Sequence, residues 1–516
     1  MTLTVSVSEA MSVATADSRQ SLVDARFMPR LLAGDSTLWG PAASSEASIR
    51  LGWVQSPLRW RYLAEEISQL RESLNARGIT RVVLCGMGGS SLGPEVMAAS
   101  AGLSLTIVDS THPDHIGAEI SRPLHDTVVV VSSKSGGTLE TDSQMRAFVG
   151  AMEDQNLDPI DHVVVVTDPG SPLQERALSA GFRVFEGDSN IGGRFSALSP
   201  FGLVPVGLAG LDIDTFLVES IPAFELCGKE GVDNPALALG TALTYAYPQR
   251  NKALLVDDNE HPGFGDWVEQ LVAESTGKDN QGILPVAGTS LRSLPDAVSV
   301  GPIGSGSDVE MGGSLAELIL VWEFATAVVG AQLGVNPFDQ PNVESAKVAA
   351  RELLGGSSST RRPELKADGF NVWTSPDTLG PLTVNTLHDT LRQCVEPHGY
   401  VALCIFAPFS QLPRWREVQR SLEDSLGRPV TLGFGPRFLH STGQFHKGGP
   451  REGTFLQVIQ TPTGDVPIPG REFGFHDLLI AQAQGDASVL ADTSQPVISI
   501  TAPEHSISGL IDALRT

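Results

Sequence analysis

The chain has 516 residues, of which 41% are hydrophobic, 18% charged and 6% aromatic, a globular composition that excludes a wholly disordered protein. At roughly 150 residues per domain this length holds about three to four domains, or two large ones. A formal net charge of −25, with no local cluster of basic residues, repels phosphate polyanions and excludes nucleic acid and anionic membrane as partners.

The N-terminal 20 residues carry neither a basic region nor an apolar run, so no secretory signal is expected. The first 25 or so are rich in Ser, Thr, Ala and Val without sustained periodicity and read as a loosely docked arm. Between Arg59 and Arg77, Leu63, Ile67, Leu70 and Leu74 recur every three to four residues, predicting a helix that ends near Gly78.

The period then changes. β-branched runs at Val82–Cys85, Leu105–Val108, Thr127–Val131 and Val163–Val166, each separated by enough chain for a helix, predict a parallel sheet covered on both faces. A second set, Ala253–Val256, Val401–Phe406, Val430–Phe434 and Phe455–Ile459, predicts a second α/β unit after a helical region around residues 265–350. Leu315–Val335, interrupted by Glu317 and Glu323, reads as a buried helix and not a membrane span, and Leu354–Arg362 as an exposed linker. The division expected is an arm over 1–50, a first doubly wound domain over 51–230 and a second over 231–516. Cys85, Cys227, Cys394 and Cys404 form no CxxC pair and no ligand spacing with histidine, so neither a disulfide framework nor a zinc site is expected. A reducing, cytoplasmic location follows as an expectation.

Two loops carry chemistry. After the first strand, Gly86-Met87-Gly88-Gly89-Ser90-Ser91-Leu92-Gly93-Pro94 lets backbone N–H groups approach an anion at a helix start, yet it matches neither the dinucleotide fingerprint nor the phosphate loop of nucleotide-binding proteins. After the third, Ser132-Ser133-Lys134-Ser135-Gly136-Gly137-Thr138-Leu139-Glu140-Thr141 gathers hydroxyls at the carboxyl edge of a parallel strand, suited to a phosphomonoester.

These loops resemble the phosphate-binding loops of the glucose-6-phosphate isomerase family, and further matches follow in order. Gly192-Gly193-Arg194-Phe195-Ser196 resembles the family's arginine loop and Gln270–Lys278 its catalytic glutamate segment. Asn336–Lys347 resembles its lysine signature, with Pro341-Asn342 in place of the usual Trp-Gly. The resemblance implies two sugar-isomerase (SIS) domains, each a doubly wound, mostly parallel sheet flanked by helices. It also implies a homodimer, no cofactor, no metal, and a place in glycolysis and gluconeogenesis.

By this resemblance the chain interconverts glucose 6-phosphate and fructose 6-phosphate. Glu274 is the expected base moving a proton between C1 and C2, and Arg194 the cation stabilising the enediolate. Gly89, Ser90, Ser133, Lys134, Ser135, Thr138 and Thr141 are expected at the phosphate, Gln270 and Gln340 at substrate hydroxyls or phosphate, and Lys347 at the anomeric hydroxyl. The family's ring-opening histidine normally lies between the glutamate and lysine motifs, but none of the eleven histidines here does so. Leu439-His440-Ser441-Thr442-Gly443-Gln444-Phe445, ahead of the strand-like Phe455–Ile459, resembles the missing segment. His440 is therefore the expected ring-opening acid, with His446 as the alternative donor and action in cis or in trans left open. The same order occurs in the isomerase half of bacterial transaldolase–isomerase fusions, although no transaldolase barrel fits before residue 80. Two other readings stand beside this one: an isomerase of mannose 6-phosphate or an amino-sugar phosphate, and a non-catalytic phosphosugar-binding regulator.

Overall fold

A computed structural model describes residues 3–355, 365–367, 370–376, 383 and 386–515. The N-terminal segment is not a loose arm. Strand β1 (Thr4–Val7) pairs antiparallel with a strand of the second half of the chain, Val309–Gly312. Met11, Leu22, Phe27, Met28 and Leu31 are buried in the largest core cluster, and Trp39 donates to the Ala327 carbonyl at 2.9 Å. Apolar residues spaced over several short helices supply a docking face too irregular for a periodicity reading.

The first sheet contains β2 (Arg81–Gly86), β3 (Thr106–Val108), β4 (Thr127–Ser132), β5 (Val163–Thr167) and β6 (Arg183–Glu186), all parallel, in the order β3-β2-β4-β5-β6. Every residue of β4 and β5 is buried, as expected for valine-rich strands covered by helices on both faces.

The second half corrects the expected grouping of strands. β7 (Lys252–Leu255), β8 (Leu284–Ala287), β9 (Ala297–Pro302) and β10 (Val309–Gly312) form one sheet ordered β1-β10-β9-β7-β8. Three of its strands thus lie inside the stretch read as helical. β11 (Leu365–Ala367), β12 (Phe370–Ser375), β13 (Tyr400–Phe406), β14 (Val430–Phe434), β15 (Gly453–Thr461) and β16 (Val497–Pro503) form another, ordered β11-β12-β16-β15-β13-β14. The two sheets abut at β8 and β14, where Gln419 Nε2 donates to the Ala287 carbonyl at 2.9 Å and the Val430 carbonyl at 2.7 Å. A side-chain amide replaces ladder bonds at this seam.

The helices that position the site are, in chain order, α1 (Leu63–Ala76), α2 (Leu92–Ser100), α3 (Leu139–Asp154), α4 (Phe264–Thr276), α5 (Leu315–Leu333), α6 (Val343–Leu354), α7 (Leu412–Leu426), α8 (Gly443–Gly448) and α9 (Phe475–Asp492). The predicted helix before Gly78 is α1. The apolar α5 is long enough to cross a membrane but is 89% buried inside the protein, with a Ser314/Glu317 capping box fixing its start. Residues 356–362 of the expected linker lie outside the described residues. All four cysteines are free.

Candidate active site

The strand order β3-β2-β4 reverses the direction of winding at β2, so the carboxyl ends of β2 and β4 flank a crevice where open parallel sheets bind ligands. Both small-residue loops begin there. The first makes a 3₁₀ turn over Gly88–Ser90 and enters α2. Gly88 has φ +57°, and a Cβ on it would stand 2.7 Å from the His440 carbonyl oxygen and 2.8 Å from Gln270 Nε2. A Cβ on Gly89 would collide with the Gly193 carbonyl. Glycine is thus demanded both by a left-handed backbone and by the convergence of three segments on one turn. Ser90 is buried in the same turn.

A cavity of about 250 Å³ opens beside the second loop, with Ser135, Thr138, Lys347, Arg351 and His440 on its walls. Ser133 donates to Thr138 Oγ1 at 3.1 Å, and the Gly137 amide to Ser135 Oγ at 3.3 Å. Thr138 precedes α3 without a side-chain cap, which keeps the N–H groups of the first helical turn available to an anion. Lys347 and Arg351, one turn apart on α6, add positive charge from the facing wall. The Thr141 hydroxyl is buried with no partner among the described residues.

Lys134 departs from expectation. Its ammonium turns to the Asp168 carboxylate and to the Asp188 carbonyl, at 2.9 Å from the latter, and braces the ends of β5 and β6 instead of the cavity. Burial lowers its pKa against the pull of Asp168.

Deeper in, Arg194 and Glu274 form an ion pair at 3.1 Å, their side chains 3% and 7% exposed. Nε of Arg194 donates to Ser275 Oγ at 2.9 Å, Nη2 to the Pro337 and Asp339 carbonyls at 2.7 and 2.9 Å, and Nη1 to Gln340 Oε1 at 2.9 Å as well as to Glu274. All five N–H donors of the guanidinium are therefore occupied. Only the Nη1 edge is held entirely by long side chains, and only that edge can be handed over to another ligand without breaking backbone contacts. Lys278 fixes the loop that supplies these acceptors, bonding Asp339 Oδ1 at 2.6 Å and the Asn336 carbonyl at 2.5 Å. Burial and the nearby Arg194 charge push Lys278 down to about 8.

Gln270 joins this network to the cavity. Its Nε2 donates to Glu274 Oε2 at 3.2 Å and to the His440 carbonyl at 2.8 Å. Gln270 and Glu274 are one turn apart on α4, so their side chains share a face. His440 Nε2 lies 2.9 Å from Glu140 Oε1 of its own chain. Burial works to raise the Glu140 pKa, but the His440 contact and the Lys347 charge overcome it and hold the group below the usual carboxylate range. An ionised carboxylate only accepts, so Nε2 carries the proton and Nδ1 is the nitrogen left for a ligand.

His446 is removed as the alternative donor. It is buried among Tyr400, Phe438 and Phe455, neither ring nitrogen has a partner among the described residues, and burial pushes it down to about 3. Of the residues expected from the sequence, His440, Lys347, Ser135 and Thr138 line the cavity, and Gln270 links it to the buried group of Glu274, Arg194 and Gln340. Sequence reasoning missed Glu140 and Gln482. Glu140 had one signal, an acidic residue in the first turn of the helix after the hydroxyl loop; Gln482, far along the chain on α9, had none.

Residues 60–224 match the family model for phosphoglucose isomerase. The protein of Natronomonas pharaonis named "Probable glucose-6-phosphate isomerase" is 30% identical over 341 residues, 53% of this chain and 79% of its own. The chain belongs to the glucose-6-phosphate isomerase family. The glucose-6-phosphate isomerase of Thermosynechococcus vestitus is 35% identical over 213 residues, 39% of this chain and 40% of its own. The crystal structure of a glucose-6-phosphate isomerase from Chlamydia trachomatis superposes with a TM-score of 0.53 at 20% identity, covering 68% of this chain and 86% of that one, a likeness of fold. The protein is an aldose–ketose isomerase of this family, with paired SIS-type α/β architecture.

Proposed function

We propose that the protein interconverts glucose 6-phosphate and fructose 6-phosphate in the crevice between the β2 and β4 loops. The phosphate sits at Ser135, Thr138 and the start of α3, with Arg351 opposite. His440 Nδ1, bare at the start, takes the proton of the anomeric hydroxyl beside the Lys347 ammonium and delivers it to the ring oxygen, bonded to the same carbon, as the C1–O5 bond breaks. Glu274 then takes the proton from C2 of the open aldose and returns it to C1. As it turns toward the carbon, it frees the Nη1 edge of Arg194 for the developing enediolate oxygens. The observation that supports this reading is the Gln270 amide, which donates both to Glu274 and to the His440 carbonyl and so links the proposed base to the segment bearing the proposed ring-opening group.

The test is turnover without added metal on fructose 6-phosphate, mannose 6-phosphate and glucosamine 6-phosphate. Preference for the fructose–glucose pair, with the Glu274→Gln variant reduced at least about 10³-fold, supports the proposal. Preference for either other sugar, or undiminished turnover in the variant, refutes it. The homodimer implied by the resemblance belongs to the same proposal, and sedimentation velocity measures it directly.

A further inference from the structure

Gln482 stands where the two halves of the site meet. It is 5% exposed, it lines the cavity, and its Nε2 donates at 2.7 Å to Glu140 Oε1, the same oxygen that faces His440 Nε2 at 2.9 Å. Its own carbonyl oxygen accepts from Thr111 Oγ1 at 2.7 Å. The orientation of the amide is forced, because a carboxylate accepts only, so the NH₂ must face Glu140 and the oxygen must face Thr111. One turn further along α9, Asp486 pairs with Lys447 at 2.6 Å, both side chains buried. A single helix therefore holds Lys447 of the histidine-bearing segment directly and His440 through Glu140, while it packs along α6, which carries Lys347.

We propose that Gln482 is a positioning residue for the ring-opening histidine: from α9 it fixes Glu140 as a stationary anionic acceptor, which locks His440 with the proton on Nε2 and Nδ1 toward the substrate. The inference rests on the role given to His440 above. Two donors on one oxygen stabilise the charged form of Glu140 and stop the carboxylate from rotating. Without Gln482, Glu140 keeps one donor, turns more freely, and the imidazole samples both tautomers. Ring opening, which needs Nδ1 at the ring oxygen, weakens. Proton transfer by Glu274, which Gln482 does not touch, is preserved.

The test uses full-length protein labelled with [¹⁵N]histidine and no substrate, with the His440 ring signals assigned from His440→Asn. Wild type is expected in the Nε2–H tautomer, and Gln482→Leu as a mixture. Kinetically, Gln482→Leu should lower kcat on fructose 6-phosphate about tenfold. Deuterium incorporation at C2 of erythrose 4-phosphate should change less than twofold, because this sugar's terminal hydroxyl is esterified and no ring can close. The isosteric Gln482→Glu should be as impaired at neutral pH and recover as pH falls and the new carboxyl gains a proton to donate. The proposal is overturned if the tautomer is unchanged in both variants, or if four-carbon exchange falls by the same factor as hexose turnover. A wild type that ignores hexose phosphates while the tautomer shift holds refutes the assigned substrate, and leaves the action of Gln482 on the imidazole standing.

Discussion

Replacing Arg194 by lysine keeps a positive charge but removes the guanidinium fork, and the structure sets the size of the effect. Arg194 satisfies Ser275 Oγ, Gln340 Oε1, the Pro337 and Asp339 carbonyls and the Glu274 carboxylate. An ammonium has three donors, so at least two of these acceptors lose their arginine donor, and although the Asp339 carbonyl keeps Lys278 Nζ at 2.7 Å, at least one is stranded in a site where the arginine itself is only 3% exposed. At about 1–3 kcal/mol for each unsatisfied buried group, Arg194→Lys should lose about 3 kcal/mol of stability. Catalysis should suffer more specifically. Loss of one preorganised donor to a developing oxyanion costs about 10²–10³ in kcat, and because that contact is made only in the transition state, KM should move little. The assays are urea unfolding followed by far-ultraviolet circular dichroism, and steady-state kinetics on fructose 6-phosphate. A variant with kcat within threefold of wild type, or one in which the whole loss lies in KM, would refute the role assigned to the Nη1 edge.

Three further outcomes are expected. Gly88→Ala places a methyl group against the His440 carbonyl and Gln270 at a φ of +57°, and should cut kcat about tenfold with a smaller stability change, read from parallel kinetic and thermal measurements. Lys447→Met strands Asp486, which is 0% exposed, and should destabilise by about 3–5 kcal/mol in urea, most of it regained in the Lys447→Met/Asp486→Leu double variant. Burial would raise Asp296, but the Arg428 fork at 3.1 and 2.6 Å and Lys252 at 3.0 Å bring it from 3.8 down to about 2. A carboxylate lowered on folding contributes stability above its unfolded pKa, so about 2 kcal/mol should be present above pH ~4 and lost toward pH 2. Asp296→Asn should flatten that limb of the pH–stability curve.

The first sheet was legible because β2, β4 and β5 are valine-rich runs buried on both faces, and the loops after β2 and β4 carry their small residues where the winding reverses. β8, β9 and β10 were hidden, since Leu284–Ala287, Ala297–Pro302 and Val309–Gly312 are short and broken by proline, serine, glycine or glutamate, leaving no unbroken apolar run. The later strands fall into two sheets that meet at the Gln419 bridge, a side-chain contact between distant segments that no local pattern announces. β1 pairs across some 300 residues of chain, and nothing local marks that partnership. In the site, residue types that match proton-transfer chemistry could be named in advance. Which way a side chain turns could not: Lys134 was drawn to Asp168, and His446 was enclosed by aromatic rings.

In the proposed mechanism the carboxylate of Glu274 carries a proton between two neighbouring carbons. Fructose 6-phosphate incubated with the protein in heavy water should yield glucose 6-phosphate bearing deuterium at C2, seen as the loss of that carbon's proton signal. Glu274→Gln, with the fold and the Arg194 contacts intact by circular dichroism and crystallography, should give neither product nor label. Label entering C2 at the wild-type rate in that variant would contradict it.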